Sequence, residues 1–593
     1  MNRLFLKFAL LLCWVIFVGS LSHVDANIQA TLFIVNGKGD RPDINPGDGV
    51  CDTVLTIPGE QCGLRAAIEE ANALGNSATP YHIDFDISGS GPFVISPDSK
   101  LPEIEVPVII DGTSQDNSIC ATANAPASLQ IILDGSNAGS SSGLALKEGS
   151  DSSVIKGLEI VNFSGNGITV ISDNNRFECN HIGFEARSSA EKGNNNGISL
   201  SGEGNIIGGS DSIATRNVIS GNEVSGIEIF GEQNKVLNNY IGSTEDGNED
   251  LGNGYGVLIF GNNNEIGDGS SDGRNIIVGS RKLGEFRGDG IQINSGAAAL
   301  NGGDSNKIFG NYIGIGADGE TAIPNSRFGV GLFGSVDSNK IGSRSQPNVI
   351  AKNSDHGISV QEFLGGFPTR NEVFGNSIFE NGGIGLEIGN TVQTVALPDL
   401  DNSSTSGWLT VSINDLPGRP LIIDLFRNDA CDASGSGEGR TFIGRVNITA
   451  NGNGLGEAEF ELPNDLKTGE VITALANQDH SQRRSQTFTK NRPKLAEANM
   501  ANTEPNPSQF SECFEPVLPA QTETPTPTST GTPSETPTDS PPQTLTPTIS
   551  QTPTGTITPE VTLSATPTAT MAGTPQNPAG SDDFIYLPLI QNK

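Results

Sequence analysis

The sequence predicts an all-β protein with a parallel β-helix as its central domain. The first observation is a glycine that recurs at intervals of 30, 29, 30, 34, 39, 28 and 28 residues and is followed each time by alternating apolar residues, as in "NGITVI", "YGVLIF" and "HGISVQ". The second is a series of short Asn-led segments in step with it, such as "NKVLNN" and "NEVFGN". A third, weaker series includes "RNVISGN" (216–222). Each unit thus holds about three short strands.

No unit contains enough apolar surface for its own core, so the units must stack and share one. Side chains that alternate along a strand point to opposite faces, which places two apolar residues of each unit inside. The first interior column comprises Ile168, Ile198, Ile227, Val257, Ile291, Val330, Ile358 and Leu386. The second comprises Val170, Leu200, Ile229, Ile259, Ile293, Leu332, Val360 and Ile388. An amphipathic helix is the alternative for this region, but glycine at every period disfavours it.

The Asn residues of the second series are expected to stack as a ladder at a corner of the coil. Their amides can bond along the stack and tolerate turn geometry. The ladder comprises Asn175, Asn205, Asn234, Asn264, Asn306, Asn339 and Asn371.

The ends of the chain differ from the repeats. Residues 1–26 have a basic start and a short apolar run, and are predicted to be a removed secretory signal. In the capping segment 27–80, Leu64, Ala67, Ile68 and Ala71 share a helical face that Gly75 can end, and this helix is expected to cover the first coil of the β-helix at 81–396. Residues 397–515 predict a β-sandwich, 516–581 a disordered Pro/Thr-rich linker, and 582–593 an apolar tail too short to span a bilayer.

Charge and cysteine content restrict the function classes. A formal net charge of −35 argues against nucleic-acid binding, which needs clustered Lys and Arg. Six cysteines follow the signal, and in an exported protein they favour disulfides over zinc, for which no CxxC or Cys–His spacing is present. Six cysteines allow fifteen connectivities. Proximity favours Cys51–Cys62, Cys431 and Cys513 could tie the ends of the sandwich, and Cys120 and Cys179 remain.

Several phrases resemble the secreted CSLREA-type right-handed parallel β-helix proteins of bacteria. "DGVCDT" followed by "CGLRAAIEEANA" is similar to their N-terminal signature, with Gly63 where Ser or Thr is usual and Ala66 at the usual Glu position. "IDGTSQ", "LDGSNAG" and "NYIGSTEDGN" resemble their coil phrases, and "CDASGSGEGRTFIG" with "SQFSECF" resembles their closing sandwich. The resemblance implies a right-handed helix, an Ig-like sandwich and extracellular or surface placement. It implies no particular reaction.

Many parallel β-helices cleave acidic polysaccharides, and four residues of this sequence are candidates for such catalysis. Arg287 and Asp289 lie in the irregular segment "SRKLGEFRGDG", and Asp355 and His356 lie in "SDHGIS", where a solvated turn is the competing explanation. A hydrolase needs two carboxylates within roughly 5 to 10 Å of each other, and Glu228 and Glu387 have no acidic partner in their row. The charges on the second face are expected to form cross-strand pairs: Arg176, Lys235, Glu265, Lys307, Lys340 and Glu372.

Aromatic residues supply the candidate binding site. Phe230, Phe260 and Phe333 occupy one outward row of the first face, where they can stack on sugar rings or be covered by a loop or by the sandwich. No cofactor is expected, although the Asp-rich loops "STEDGNED" and "IGADGE" suggest Ca²⁺ as an alternative to simple turns. The leading hypothesis is a non-enzymatic, exported or surface-attached protein that contacts polysaccharide or cell-surface glycans. A polysaccharide lyase or glycoside hydrolase is the alternative.

Overall fold

The computed structural model describes residues 31–54, 61–186, 190–282, 287–296, 302–435, 437–480 and 505–518. The predicted signal segment, most of the Pro/Thr-rich linker and the apolar tail lie outside these residues, so those predictions stay as they are. Within the described part, no helix is long and apolar enough to cross a bilayer.

Three long parallel sheets form the central domain, which is the predicted β-helix. Sheet 1 contains Leu32–Val35, Tyr81–Phe85, Val108–Asp111, Val154–Lys156, Arg176–Glu178, Ile206–Gly208, Lys235–Leu237, Glu265–Ile266, Lys307–Ile308, Lys340–Ile341 and Glu372–Val373. Sheet 2 contains Phe93–Ile95, Ile131–Asp134, Leu158–Val161, His181–Ile182, Val218–Ile219, Tyr240–Ile241, Ile276–Ile277, Tyr312–Ile313, Val349–Ala351 and Ser377–Phe379. Sheet 3 contains Leu144–Leu146, Ile168–Val170, Asn196–Leu200, Ser225–Ile229, Tyr255–Ile259, Ile291–Asn294, Val330–Phe333, Ile358–Gln361 and Leu386–Ile388. Short pieces lie between them: a hairpin of Phe184–Glu185 with Ala190–Glu191, and 3₁₀ turns at Gly112–Ser114, Gly135–Asn137 and Ile213–Thr215.

Both predicted interior columns are confirmed by the register of sheet 3. Ile198 pairs with Ile168 on one side and Ile227 on the other, and Leu200 pairs with Val170 and Ile229. All sixteen side chains are buried and belong to one continuous core. Each strand therefore completes the apolar filling of its neighbours, as stacking requires.

The recurring glycine is explained by how closely successive coils approach one another. A Cβ atom on Gly226 would lie 2.8 Å from the carbonyl oxygen of Gly256, and one on Gly256 would lie 2.4 Å from that of Gly290. Real Cβ atoms essentially never come within 3.0 Å of another heavy atom. The period in the sequence thus marks a backbone-to-backbone contact that excludes every side chain.

The predicted asparagine ladder is present, and two more accompany it. The backbone N–H of Asn175 donates to Oδ1 of Asn205 at 2.9 Å, and the same bond repeats coil by coil to Asn371. A second ladder, which the sequence reasoning missed, precedes the sheet 2 strands and comprises Asn180, Asn217, Asn239, Asn275, Asn311, Asn348 and Asn376. A third includes Asn194, Asn222 and Asn253, and later Asn325, Asn353 and Asn381.

The helix Leu64–Leu74 packs against the first coils as predicted. Leu64, Ala67, Ile68 and Ala71 are buried in the common core, and Gly75 ends the helix with φ of 76°. The buried carboxylate of Glu70 accepts hydrogen bonds from the N–H groups of Gly47 and Gly49. The helix thereby holds the loop that precedes it.

Two antiparallel sheets follow the β-helix and form the predicted sandwich. One contains Asp399–Asn402, Trp408–Asn414 and Leu455–Glu461, and the other contains Pro420–Asn428, Thr441–Thr449 and Val471–Gln478. Their inner faces share a separate apolar core that includes Leu409, Ile423 and Ile472. Phe426, Leu475 and Phe510, however, join the core of the β-helix. The sandwich therefore closes the last coil.

The six cysteines form three disulfides: Cys51–Cys62, Cys120–Cys179 and Cys431–Cys513. The first pairing is the one that proximity favours, and the third ties the sandwich as expected. On sheet 1, Lys235 Nζ lies 3.5 Å from Glu265 Oε2, and Lys340 Nζ lies 3.0 Å from Glu372 Oε2. These two contacts are cross-strand pairs of the expected kind. Arg176 instead contacts Glu178 on its own strand, and Lys307 lies between Glu265 and Lys340 in the register.

Candidate functional site

The outward surface of sheet 3, here called the sheet 3 face, carries the predicted site residues in three columns. The register of the strands aligns these columns from coil to coil. The first column precedes the recurring glycines: Asn166, Asn196, Ser225, Tyr255, Asp289, Phe328 and His356. The middle column lies between the two interior columns: Thr169, Ser199, Glu228, Leu258, Gln292, Gly331, Ser359 and Glu387. The outer column follows them: Ile171, Ser201, Phe230, Phe260, Asn294, Phe333 and Gln361.

Phe230 and Phe260 form a stacked aromatic pair on this face. Ile229 pairs with Ile259, so the two phenylalanines that follow them lie one coil apart. Their ring centroids are 5.0 Å apart and their planes differ by 8°. Phe230 is 38 % exposed, and the residue level with it on the preceding coil is the small, exposed Ser201. The ring face of Phe230 that points toward Ser201 is therefore open to a ligand.

A polar border lies beside the aromatic pair. Oε2 of Glu228 accepts hydrogen bonds from Asn196 Nδ2 and Ser199 Oγ, each at 3.2 Å. Asn196 is held in place by Asn166, to which it donates at 3.0 Å, and by Ser225, from which it accepts at 2.7 Å. Burial raises the pKa of Glu228, and the bond from Ser199 lowers it in part. The border offers an acceptor, Oε1, that bonds to none of the described residues.

Phe333 belongs to a different cluster further along the same face. It is 6 % exposed, so it is not available to a sugar ring as it stands. Its ring lies 6.3 Å from that of Phe328, and the guanidinium carbon of Arg327 sits 4.2 Å from the Phe328 centroid and 5.2 Å from that of Phe333. Of the two alternatives for these aromatic residues, Phe333 is a covered side chain, whereas Phe230 is an exposed one that can stack on a sugar ring.

Asp289 lies at the centre of this second cluster and is fully buried. Oδ2 is 3.4 Å from Arg327 Nη1, and Oδ1 accepts from the backbone N–H of Phe328 at 3.3 Å. Burial raises the pKa of Asp289 to about 7 despite the opposing effect of Arg327. Burial, and then the charge of Asp289, raise the pKa of Tyr255 in the same column to about 12.

His356 and Asp355 border Asp289 from the following coils. The His356 ring stacks on Phe328 with centroids 5.6 Å apart, and its Nδ1 accepts from the N–H of Ile384 at 2.9 Å. The neutral ring therefore carries its proton on Nε2, which lies 3.4 Å from Asp355 Oδ1. Arg287 stays at the edge, where Nη1 donates to the carbonyl oxygen of Glu223 at 3.1 Å.

The structure thus brings together Asp289, Asp355 and His356, which the sequence proposed separately. It adds Arg327 and Tyr255, which the sequence reasoning missed. A signal for Tyr255 was present, because it occupies the position before a recurring glycine. Reading that position down the repeats gives Tyr255, Asp289, Phe328 and His356 in order, whereas Arg327 lies one residue before this column.

The Asp-rich loops use their carboxylates within their own turns. Asp246 Oδ1 accepts from Thr244 Oγ1 at 2.6 Å, and Asp318 Oδ1 accepts from the N–H groups of Glu320 and Thr321 at 2.8 Å. Among the residues that the structure describes, no group of three or more His, Cys, Asp or Glu side chains could hold a metal ion. Calcium binding in these loops stays a prediction.

Comparison with solved structures finds proteins that act on polysaccharides or carry phage tailspike domains. A double-mutant form of the periplasmic alginate epimerase AlgG is 14 % identical with a TM-score of 0.29, over 53 % of this chain and 73 % of that one. Pectate lyase Pel9A is 13 % identical with a TM-score of 0.25, over 60 % and 80 %. The enzymatically active domain of tailspike protein 2 from bacteriophage CBA120 is 10 % identical with a TM-score of 0.19, over 68 % of each chain. These similarities are too distant to transfer a function.

No protein-family model matches the chain. No curated protein matches it either. The class that the coordinates define is therefore a parallel β-helix protein closed by a helix at one end and a β-sandwich at the other.

Proposed function

We propose that this chain is an exported β-helical protein that binds polysaccharide on its sheet 3 face, without cleaving it. The observation that carries the proposal is the stacked Phe230–Phe260 pair, in which Phe230 is exposed, beside the polar border of Glu228, Ser199 and Asn196. An aromatic face next to hydrogen-bonding groups suits a sugar ring, which has an apolar side and a rim of hydroxyls. The three disulfides suit an oxidising compartment.

The test is binding of the purified full chain to oligosaccharides by isothermal titration calorimetry, compared with Phe230→Ala. Phe367, which is 45 % exposed in the loop that follows the strand Ile358–Gln361, provides the matched control variant Phe367→Ala. Loss of one stacking contact of about 1 kcal/mol predicts affinity weakened by about five- to tenfold in Phe230→Ala. Equal affinity in the two variants would contradict the proposal.

Attachment to the cell surface is part of the proposal and rests on the Pro/Thr-rich residues 516–581 and the apolar residues 582–593. Such a composition forms an extended spacer between a folded head and an anchor point. Deleting 516–593 is expected to release the protein into the medium, as measured by its partition between cells and supernatant. Retention of the truncated protein on cells would exclude this segment as the anchor. Kinship with the CSLREA-type proteins is likewise proposed, on the phrases quoted above.

A second candidate function, lyase or hydrolase action on a polysaccharide, is favoured by the Asp289 cluster. A carboxyl whose pKa is about 7, next to an arginine, can take up or release a proton near neutral pH. It ranks second because Asp289 is fully buried and cannot reach a polymer without movement of its surroundings. Incubation with pectins, alginates and host-like glycans tests it. If the wild type turns over one of these substrates, and Asp289→Asn abolishes turnover but retains binding, catalysis would replace non-catalytic binding as the leading function.

A further inference from the structure

We infer that Glu228 makes the sheet 3 face selective for polysaccharides that bear free amino groups. This inference rests on the proposed function and deepens it by naming the ligand class. The physical basis is the position of one half-buried carboxylate beside the aromatic pair, where no Lys or Arg among the described residues forms an ion pair with it.

Glu228 lies on the strand Ser225–Ile229, and Phe230 directly follows that strand. Their side chains, two residues apart in extended chain, point outward side by side. A sugar ring on the open face of Phe230 would lie above Ser201 and present its substituents to Glu228 and Ser199. Ser199 and Asn196 hold Oε2 of Glu228 in place. Oε1 is left to accept a hydrogen bond from the ligand.

Glu228 has no Lys or Arg partner in the part of the chain that the structure describes. The outward residues of the four strands from Ile168–Val170 to Tyr255–Ile259 include no Lys or Arg. Arg287 contacts the carbonyl oxygen of Glu223, at the start of the coil that carries Glu228, and Arg327 binds Asp289. A carboxylate without a cationic partner attracts an ammonium group and repels a uronate. Neutral sugars are expected to bind with intermediate affinity, because their hydroxyls can donate a hydrogen bond to Oε1 but carry no charge.

Partial burial strengthens the discrimination. The face excludes part of the solvent around Glu228, which makes an ion pair there stronger than on an open surface. An ammonium on the ligand would also favour the ionised carboxylate, whose pKa burial has raised. The formal net charge of −35 attracts any cation, but at 0.15 M salt charges beyond about 8 Å are largely screened. Selectivity at that ionic strength is therefore a local property.

The experiment compares three hexasaccharides by calorimetry at 0.15 M salt and pH 6: β-1,4-linked glucosamine, β-1,4-linked N-acetylglucosamine and α-1,4-linked galacturonate. We expect the wild type to bind the glucosamine hexamer about tenfold more tightly than the N-acetylated one, and the galacturonate hexamer most weakly. Glu228→Gln keeps the shape of the site. In this variant the affinities for the glucosamine and N-acetylglucosamine hexamers are expected to become nearly equal. The matched control is Glu387→Gln, in the same column five coils away, where the carboxylate accepts from Ser359 and Gln361.

The outcomes separate the inference from the proposed function. If Glu228→Gln still prefers the glucosamine hexamer, the preference comes from the overall negative charge of the protein and not from Glu228. That result would overturn the inference. Preference for galacturonate or the N-acetylated hexamer, lost in Phe230→Ala, would also overturn it while leaving the proposed binding face intact. Binding of none of the three above the level of Phe230→Ala would contradict both. Thermal melting of each variant verifies that it is folded.

Discussion

Asn506 continues the first asparagine ladder of the β-helix from outside it. Its Oδ1 accepts from the backbone N–H of Asn371 at 3.3 Å and from Asn371 Nδ2 at 2.9 Å, across 135 residues of sequence. Its own Nδ2 donates to the carbonyl oxygen of Pro368 at 2.7 Å. The side chain thus occupies the place that the asparagine of a further coil would fill.

The sandwich region caps the last coil with polar side chains at two other places. The Glu438 carboxylate accepts from the N–H and Nδ2 of Asn381, at the end of the third ladder. Asn477 bonds both the N–H and the carbonyl oxygen of Val373 on the last strand of sheet 1. An open solenoid end exposes unpaired polar groups and apolar surface, and these side chains satisfy the polar part.

Replacing Asn506 by Ala is expected to destabilise the last coils. The change leaves the buried backbone N–H of Asn371 without its acceptor, while Nδ2 keeps only its bond to the carbonyl oxygen of Val336. A buried unsatisfied group costs about 1 to 3 kcal/mol. The matched control is Asn453→Ala at an exposed turn of the sandwich. Chemical unfolding should show a lower midpoint for Asn506→Ala alone. Equal midpoints would mean that the ladder does not need its last member.

Replacing Gly226 by Ala is expected to push neighbouring coils apart. The added Cβ would meet the Gly256 carbonyl oxygen at 2.8 Å, and overpacking of this kind costs about 1 to 3 kcal/mol. Gly39→Ala is the control, because nothing lies within 4 Å of a Cβ built there. Thermal melting followed by circular dichroism measures both variants. A Gly226→Ala protein as stable as Gly39→Ala would contradict the close-approach explanation of the repeat.

Removing a disulfide should cost more where the closed loop is longer. Cys431–Cys513 spans 82 residues and Cys51–Cys62 spans 11. Chain entropy alone predicts losses of about 4.5 and about 3 kcal/mol for the respective Cys→Ser double variants. Unfolding in guanidinium chloride measures the two losses. The reverse order would show that local packing, not loop closure, decides the contribution.

The stability difference between Asp289→Asn and the wild type is expected to change with pH. Folding raises the pKa of Asp289 from about 3.9 to about 7, so the folded state binds the proton more tightly than the unfolded state. The contribution of Asp289 to the free energy of unfolding is therefore fully present below pH 4, and it is lost as the pH rises to 7. A pKa shift of this size limits the contribution of Asp289 to the free energy of unfolding to about 4 kcal/mol.

Asparagine does not titrate, so Asp289→Asn should gain stability relative to the wild type between pH 4.5 and pH 8. Unfolding midpoints of both proteins at the two pH values measure the effect. Since other acids titrate equally in both proteins, the comparison isolates Asp289. A constant difference would show that Asp289 is ionised throughout, held by Arg327.

Much of the architecture could be predicted because it repeats. A side chain such as Ile227 occupies an environment that recurs coil by coil, so alternation and period together identify its column. The capping helix could be predicted from its apolar spacing in the same way. The closure of the last coil could not, because Asn506 and Glu438 act as ladder members without any neighbouring repeat.

The candidate site could be predicted only in part, for a related reason. Phe230 and Phe260 repeat at the period, so their row was apparent. The contact of Asp289 with Arg327 depends on irregular coils of 34 and 39 residues, whose lengths shift the alignment of segments outside the strands. Phe333 and Phe230 belong to the same row, but Phe333 is buried and Phe230 is exposed. The repeat pattern alone does not indicate which outward side chains become covered by neighbouring segments.

A crystal structure of the protein with its best-binding hexasaccharide would show where the polysaccharide lies. We expect a sugar ring over the free face of Phe230, with a nitrogen or oxygen substituent within hydrogen-bonding distance of Glu228 Oε1. A ligand bound on sheet 1, on sheet 2 or on the sandwich, with the Phe230 ring unoccupied, would contradict it.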